Sequence, residues 1–433
     1  MQRIIYIILI ITAFTYNGTS QVPTPAEAQS SPILLKGATA HLGNGQIITN
    51  SIIGFDKGKL TVVQAMEGNT IDESGYEVMD VSGKHIYPGF ILPNSPIGLE
   101  EVSAIRAMSD SREHGSVNPN IRSIVAYNTD SEYIPTMRFN GVLLAETTPR
   151  GGRVPGTSSV VEMEGWNWED AVHSIDIGIH VNWPARQNRR FDFSTFTVKT
   201  EPNKNYDKQV ADLKDIFNET KAYMSSSSKS DNLKLDAMKG LFDSSKILFL
   251  HVNAAKEIVE AIRFAQAQGV KKITLYTGTA ALYVADFLKE NNISVVLPPT
   301  QVVPERADMD VDLPYRLPHL LTEKGARVSI SNSGESLANG RNLGFYAGTA
   351  VAYGMDKEAA LKTITSNTAI ALGIEDRVGT LEVGKDATLF VSQGDAFDYA
   401  GNILQYAFIS GKMVVLPNKQ QALFERYSKK YGH

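Results

Sequence analysis

The sequence predicts an α/β protein: an eight-stranded (β/α) barrel that carries a small β domain built from both chain ends. Two observations favour this fold. The middle of the 433-residue chain alternates short β-rich runs with segments of helical spacing, which is typical of βα units. Both ends contain short strand-like runs separated by glycine turns. Eight candidate strands match the count of a closed barrel, and a doubly wound open sheet is the alternative at this stage.

The two chain ends are β-rich. Residues 33–65 alternate apolar and polar side chains around the Gly43-Asn44-Gly45 turn, and residues 378–391 and 406–416 read as strands around Gly-Lys turns. Neither end alone has enough strands to bury a sheet face. We therefore predict that residues 33–84 and 378–416 form one composite β domain, apart from a barrel formed by residues 85–377.

The middle supplies the barrel elements. The candidate strands are 85–92, 141–146, 159–163, 176–182, 246–251, 272–276, 294–298 and 327–331. Helical spacing appears in 254–268, 279–290, 314–325 and 356–366. The lysine-rich stretch 203–245 reads as a helical surface insertion interrupted by serines, and residues 417–433 as a C-terminal tail.

The first twenty residues predict export. Arg3 precedes an uncharged apolar run from Ile4 to Phe14, and small or polar residues follow up to Ser20. This pattern is typical of a secretory signal peptide, residues 1–20, and the run is too short to span a bilayer. We expect a secreted protein, periplasmic in a two-membrane bacterium, with no transmembrane anchor after cleavage. Residues 21–32 read as a disordered mature N-terminus.

Composition excludes several kinds of site. The chain has no cysteine, so disulfides, thiolate metal sites and cysteine nucleophiles are excluded. The net charge of −5 and the spread of the lysines and arginines along the chain give no reason to expect nucleic acid.

Polar residues follow the predicted barrel strands. In a (β/α) barrel the active site lies at the C-terminal ends of the strands. These ends carry Asn94, Glu146–Arg150, Glu162, His180–Asn182, His251, Tyr276, Thr277, Pro298, Pro299 and Asn332. The Gly-rich loop 147–159 adds Arg150 and Arg153, which suit a carboxylate ligand; a tight structural turn with solvated arginines is the alternative.

Three stretches of this chain resemble the amidohydrolase superfamily, and most of all its imidazolonepropionase-like branch. They are GKHIYPGFI (83–91), ITSNTAIALGIEDRVGTLEVGKDATLFV (364–391) and the paired β-rich ends. The resemblance covers most of residues 33–416. It implies a TIM-like barrel with a small β-sandwich domain. It also implies an activity in which zinc or another divalent metal activates water against non-peptide C–N bonds, such as those of cyclic amides.

The resemblance also implies a set of metal ligands: two histidines two residues apart after strand 1, single histidines after strands 5 and 6, and an aspartate after strand 8. This chain has Asn94 and Pro96 at the first pair, His251 after strand 5, Tyr276-Thr277 after strand 6 and Asn332 after strand 8. A neutral amide is a poor zinc ligand and cannot act as a general base. We therefore expect an eroded metal centre, with no tightly bound metal and no other cofactor.

The candidate site residues follow from these positions. His251 is the best catalytic candidate, with a structural histidine as the equal alternative. Asn94, Arg150, Arg153, Tyr276 and Asn332 are the candidate substrate-binding residues. For Asn94 and Asn332 the favoured interpretation is that they fill the vacated metal pocket with mutual hydrogen bonds.

Two functions remain open from the sequence. The first is a hydrolase of non-peptide C–N bonds with a diverged centre. The second is a catalytically inactive pseudoenzyme that binds a small anionic ligand or pairs with an active paralogue. A homo-oligomer is compatible with both.

Overall fold

The computed structural model describes residues 24–226 and 230–432, so the predicted signal peptide, residues 1–20, lies outside the described residues. The strands are β1 Ile33–Lys36, β2 Thr39–His41, β3 Ile47–Ile48, β4 Ser51–Asp56, β5 Lys59–Ala65, β6 Glu77–Asp80, β7 His85–Pro88, β8 Phe90–Ser95, β9 Val142–Thr147, β10 Thr157–Glu162, β11 Val172–Asn182, β12 Gln187–Asp192, β13 Thr197–Pro202, β14 Ile247–His251, β15 Ile273–Tyr276, β16 Ser294–Leu297, β17 Arg327–Ile330, β18 Leu389–Ser392, β19 Leu404–Ile409 and β20 Lys412–Met413.

The α-helices are α1 Tyr133–Arg138, α2 Trp168–Ala171, α3 Tyr206–Ser225, α4 Leu233–Met238, α5 Gly240–Asp243, α6 Ala255–Ala267, α7 Ala285–Glu290, α8 Leu313–Glu323, α9 Leu343–Ala352, α10 Lys357–Thr363, α11 Ser366–Leu372 and α12 Lys419–Tyr431. Short 3₁₀ helices lie at Arg106–Met108, Ser123–Ala126, Thr279–Val284 and Leu337–Asn342.

Eight strands form the central sheet, in the order β17-β16-β15-β14-β11-β10-β9-β8. All eight overlap the candidate strands of the sequence, and the sheet is a nearly closed, TIM-like α/β barrel. Its inward and outward faces are filled by apolar side chains, with Leu144, Phe249 and Val296 among those in one buried cluster. The α/β barrel prediction is confirmed, and the doubly wound open sheet is excluded as the architecture.

One barrel strand runs in the opposite direction from the others. Strand β10 pairs antiparallel with both β9 and β11, whereas the other neighbouring strands pair parallel. The connections before and after β10, residues 148–156 and 163–171, are shorter than the dozen or more residues that a parallel crossover needs. Consequently Glu162, expected in the polar ring, lies at the opposite end of the barrel, and Ser158 replaces it.

The predicted strand 85–92 is two strands that belong to different sheets. Strand β7 pairs with β18 and β2 in a small sheet, and β8 pairs with β9 in the barrel. The division falls at Gly89, where an added Cβ would lie 2.9 Å from side-chain atoms of both Leu143 and Thr388. A glycine is therefore needed where the chain passes tightly from one sheet to the other.

Besides the two-stranded β12–β13 hairpin, two larger sheets lie outside the barrel. One is four-stranded, in the order β5-β4-β1-β6, and the other six-stranded, in the order β20-β19-β18-β7-β2-β3. The six-stranded sheet combines strands from both chain ends. A buried cluster joins the two sheets, and within it Phe55 and Phe408 meet edge to face with ring centroids 4.9 Å apart.

Several segments differ from their sequence-based descriptions. The expected insertion 203–245 contains α3, α4 and α5, and buried Leu213, Phe217 and Met238 attach it to the barrel core. The hairpin β12–β13 precedes it and was not predicted. The C-terminal tail contains helix α12, which has no buried residue.

The stretch before β1 is attached to the body, whereas the sequence suggests disorder. The Ala26 N–H donates to the Glu164 carboxylate at 2.8 Å, and the Gln29 amide donates to the Phe55 carbonyl at 3.0 Å. None of the helices within the described residues is long and apolar enough to cross a bilayer.

A buried carboxylate joins the barrel to the small sheets. Asp386 contacts Lys59 at 2.5 Å, Arg377 at 2.8 Å and His173 at 3.2 Å, and its side chain is 3% exposed. Burial by itself raises the pKa of Asp386. The hydrogen bonds and charges of the three partners outweigh burial and hold this pKa at about 2.

This carboxylate gives a pH-dependent stability prediction. Because the folded-state pKa lies below the usual value of 3.8, Asp386 stabilises the fold above about pH 4, and the effect is lost as the pH falls towards 2. Asp386→Asn should lower the free energy of unfolding by about 2 kcal/mol at pH 7. Urea denaturation across pH 2 to 7 measures this, with exposed Asp376→Asn as the control. An equal loss at both ends of the pH range would contradict the prediction.

Candidate functional site

A cavity of about 760 Å³ opens at the C-terminal ends of the barrel strands. Parallel strands bring their carboxyl ends together at one end of a barrel, so residues from distant parts of the sequence share one wall. The lining side chains and backbone belong to Asn94, Trp183, Ala185, Arg186, Gln187, Arg189, His251, Val252, Asn253, Ala254, Glu257, Tyr276, Thr277, Gly278, Val296, Pro298, Glu305, Ser333 and Gly334.

Asn94 lies at an irregularity near the end of β8. Its φ is +55°, in the left-handed region, and the register between β8 and β9 shifts between Leu92 and Ser95. Such a backbone is uncommon for a residue with a side chain, although asparagine tolerates it better than most. The shift turns the Asn94 N–H inward and the Asn94 side chain towards the cavity.

Two buried charges hold this turn. The Asn94 N–H donates to Glu146 Oε2 at 2.8 Å. The Arg150 guanidinium donates to the Asn94 carbonyl at 2.7 Å and also to its side-chain oxygen. The Asn94 amide nitrogen donates to Ser333 Oγ at 2.6 Å. One residue therefore connects a buried anion and a buried cation and links β8 to the loop after β17.

Glu146 is the centre of a hydrogen-bond network. Its carboxylate is completely buried and accepts from Ser158 Oγ at 2.7 Å and Tyr276 Oη at 2.7 Å, besides Asn94. His180 Nε2 lies 3.1 Å from Glu146 Oε1. Burial favours the neutral acid, but the hydrogen bonds, chiefly that from His180, outweigh it and leave the pKa of Glu146 below its usual value. Glu146 is therefore ionised at neutral pH.

His180 and His251 form a pair that leads from Glu146 to the cavity. His180 Nδ1 lies 2.9 Å from His251 Nε2, and the His251 ring stacks on Tyr276 with centroids 4.6 Å apart. Burial lowers the pKa of both imidazoles, so both are neutral at pH 7. Because a carboxylate only accepts, Nε2 of His180 carries its proton, and Nδ1 of His180 then accepts from His251. This assignment leaves Nδ1 of His251 as an acceptor.

The predicted binding residues separate into two groups. Asn94, His251 and Tyr276 line the cavity. Arg150 and Arg153 are not among its lining residues, because Arg150 is engaged with Asn94 and Arg153 donates to the Asn182 carbonyl at 2.6 Å.

Asn332 also departs from its predicted contacts. Its amide donates to the Ser336 carbonyl at 2.8 Å, and its side-chain oxygen accepts from Tyr346 Oη at 3.2 Å. The predicted mutual hydrogen bond between Asn94 and Asn332 is therefore wrong, since Asn94 bonds to Ser333 instead. Because Ser333 accepts the hydrogen bond of the Asn94 amide, Asn94 and Asn332 do not bond to each other.

Four residues of the site were not selected from the sequence. Glu146 and His180 stood in the polar ring, but neither was chosen as a site residue. The sequence signal for Glu146 is a charged residue near the end of the apolar run VLLAET. A parallel β10 would place Ser158 at the other end of the barrel, so the sequence pattern does not indicate it. Arg189 lies on the unpredicted hairpin and lines the cavity.

The residues at the expected metal positions do not fit a metal centre. No group of three or more histidine, aspartate or glutamate side chains that could hold a metal ion occurs within residues 24–226 and 230–432. The Asn94 side-chain oxygen accepts from a guanidinium, and His251 Nε2 faces another imidazole. The Arg150 guanidinium at Asn94 would repel a metal cation electrostatically, and neutral amides are poor ligands for zinc.

The nearly closed barrel with its cavity at the carboxyl ends of the strands defines a protein of the TIM-like α/β barrel class. A sequence model described as "Amidohydrolase family" matches residues 201–415. Two curated imidazolonepropionases are distant relatives: that of Clostridium tetani is 21% identical, covering 83% of this chain and 88% of the relative, and that of Rhizobium rhizogenes is 22% identical, covering 81% and 88%. The chain belongs to the amidohydrolase superfamily and is imidazolonepropionase-like, as the sequence resemblance predicts.

Solved structures agree on the fold. An amidohydrolase from Thermotoga maritima MSB8 superposes with a TM-score of 0.74 at 24% identity, covering 88% of this chain and 99% of that one. An adenosine deaminase from Xanthomonas campestris with bound zinc gives a TM-score of 0.52 at 13% identity, covering 94% and 98%. At these identities the likeness establishes the fold alone.

The Arg150 contact gives a stability prediction. Arg150→Met leaves the Asn94 carbonyl and side-chain oxygen without their charged donor and removes a positive charge near Glu146. We expect a loss of roughly 2–4 kcal/mol in the free energy of unfolding. Arg153→Met removes one contact of a half-buried side chain and should cost below about 1 kcal/mol.

A second variant separates charge from packing. Glu146→Gln combined with Arg150→Met removes both charges and should recover part of the loss. Chemical denaturation measures all three variants. A cost for Arg150→Met no larger than that for Arg153→Met would mean that the guanidinium does not hold this site together.

Proposed function

We propose that this chain is an exported amidohydrolase-family protein whose barrel mouth has lost the metal centre and binds a small carboxylate-bearing ligand. The observation that carries the proposal is the Arg150 guanidinium seated on Asn94, at the first expected metal position. A bound divalent metal there would meet a fixed positive charge.

Polar groups that are free to bind support a ligand-binding role. The Thr277 hydroxyl is buried, lines the cavity and has no hydrogen-bond partner. His251 offers an acceptor nitrogen in the same cavity. A buried hydroxyl without a partner costs free energy that a ligand would recover.

The charged side chains of the cavity favour an anionic group. Arg186 is paired with Glu260 at 2.8 Å, whereas Arg189 of β12 lines the cavity and forms no ion pair with any residue that the structure describes. Arginine binds carboxylates in bidentate fashion. We therefore assign Arg189 as the cation that binds the carboxylate of the ligand. The sequence predicts this role for Arg150 and Arg153 instead.

Hydrolysis without a metal is the second candidate. It is favoured by one observation, the His251–His180–Glu146 chain, which resembles the support that a carboxylate gives to a general-base imidazole. In this reading His251 accepts a proton from water while the water attacks a carbonyl carbon. The curated relatives carry the name imidazolonepropionase, so cyclic amides are the first substrates to assay. Pairing with an active paralogue stays a prediction from the sequence.

We also propose that the two sheets outside the barrel form a small β-sandwich. Their shared buried cluster, which includes Leu35 and Ile53 from one sheet and Ile86 and Leu389 from the other, supports this arrangement.

Metal content tests the lost centre. The purified protein should contain well under one equivalent of zinc, manganese or iron, because the donors at the expected positions are amides and a paired imidazole. A chelator should leave the thermal midpoint unchanged. Elemental analysis and calorimetry measure the two quantities, and one tightly held ion per chain would overturn the proposal.

Thermal shift with small carboxylates tests the ligand class. Carboxylates should raise the thermal midpoint of the wild type, and Arg189→Ala should abolish the shift. Arg190→Ala is the matched control, because alternate residues of a strand face opposite ways and Arg190 does not line the cavity.

Two results would redirect the assignment. A shift that survives Arg189→Ala but disappears in Arg153→Ala would return the anion site to the Arg150/Arg153 loop. Turnover of a cyclic amide that is lost in His251→Gln, while the carboxylate shift persists, would select the hydrolase.

A further inference from the structure

Helix α12 is a well-capped helix that packs little against the body. The Asn418 side chain accepts from the Gln421 N–H at its start, and Gly432 ends it in a left-handed conformation. No residue of α12 is buried. Its polar contacts with the body lie in the first turn, where Lys419 pairs with Glu132 and Gln420 accepts from Thr136.

A helix of this length gains stability mainly from packing. Isolated helices of about 12–15 residues are marginal in water, and tertiary contacts on an apolar face normally stabilise them. Here α12 has such a face and leaves it open. Leu423, Phe424, Tyr427 and Tyr431 form this apolar stripe, with Phe424 69% and Tyr431 64% exposed.

The same turns of the helix are basic. Arg426 and Lys430 lie beside the stripe and Lys429 lies on the polar face, with Glu425 as the acid among residues 423–431, although the whole chain is acidic at −5. A basic amphipathic helix with aromatic residues is typical of a segment that lies in the plane of an anionic membrane surface. Tyrosine suits the membrane–water interface in particular.

The size of the stripe favours a membrane over a second copy of the chain. At roughly 150–250 Å² per aromatic side chain, the exposed part of the stripe presents on the order of 400 Å², about half of what each partner buries in a standard stable dimer. Lipid binding needs no such area, since charge attraction adds to the insertion of a few side chains.

We propose that helix α12 docks the protein on an anionic phospholipid surface, with its apolar stripe inserted at the interface and Arg426, Lys429 and Lys430 at the headgroups. The docking is peripheral and independent of the barrel cavity. Among the described residues, where no helix is long and apolar enough to cross a bilayer, α12 is the segment that holds the protein at the membrane.

Vesicle flotation tests the proposal with the chain that begins at Gln21 and contains every described residue. Vesicles of phosphatidylcholine with about 30% phosphatidylglycerol should bind the protein, phosphatidylcholine alone should bind it weakly, and high salt should release it. Lys429→Glu/Lys430→Glu and Phe424→Ser/Tyr427→Ser should each reduce partitioning by about tenfold or more. Thermal unfolding of each variant checks that the barrel remains folded.

The matched control uses exposed aromatics elsewhere. Phe193 and Phe196 at the tip of the β12–β13 hairpin are each 79% exposed, and Phe193→Ser/Phe196→Ser should leave partitioning unchanged. Absence of binding to the anionic vesicles, or equal loss in the hairpin variant, would overturn the proposal. Sedimentation tests the remaining alternative, which is a dimer. A dimer that dissociates in Phe424→Ser/Tyr427→Ser would mean that the stripe binds a second copy of the chain and not a membrane.

Discussion

The site depends on one buried arrangement, in which Asn94 lies between the Glu146 carboxylate and the Arg150 guanidinium. The left-handed turn at Asn94 is strained for a residue with a side chain, and it persists because both charges bind its backbone. The Glu146 carboxylate is in turn stabilised by hydrogen bonds from Ser158, Tyr276 and His180. Packing, backbone conformation and electrostatics are thus coupled at a single residue.

This arrangement determines what the rest of the barrel mouth can do. An ionised Glu146 fixes the protonated nitrogen of His180, and His180 fixes the orientation of His251 at the cavity. The Arg150 guanidinium lies against Asn94, at the first expected metal position, where a metal centre would need negative or neutral donors. In the proposed function, the cavity at the strand ends binds its ligand through hydrogen bonds and charge.

The cavity and helix α12 divide the proposed roles between two regions. The cavity lies at the carboxyl ends of the strands and holds an unpartnered hydroxyl, an acceptor nitrogen and Arg189. Helix α12 contributes nothing to that cavity and presents aromatic and basic side chains to its surroundings. Binding of a ligand and attachment to a surface can therefore be altered separately by substitution.

The sequence by itself determined the strand positions and the family. Apolar runs of strand length and the stretches around residues 83–91 and 364–391 depend on local pattern, which is readable without coordinates. It also supplied His251, Asn94 and Tyr276 as cavity residues, because strand ends meet at one end of a barrel. The absence of histidines at Asn94 and Pro96 was likewise visible from residue types alone.

Only the tertiary structure decided the direction of β10 and the partners of the polar residues. Strand direction depends on where connections end to within a residue or two, and sequence patterns do not fix those boundaries. Because β10 runs antiparallel to its neighbours, Ser158 and not Glu162 lies at the site. Whether Arg150 faces a ligand or an asparagine depends on contacts between residues 56 positions apart, which local propensity cannot encode. Long-range packing therefore decided the chemistry of the site, and local pattern decided the scaffold that holds it.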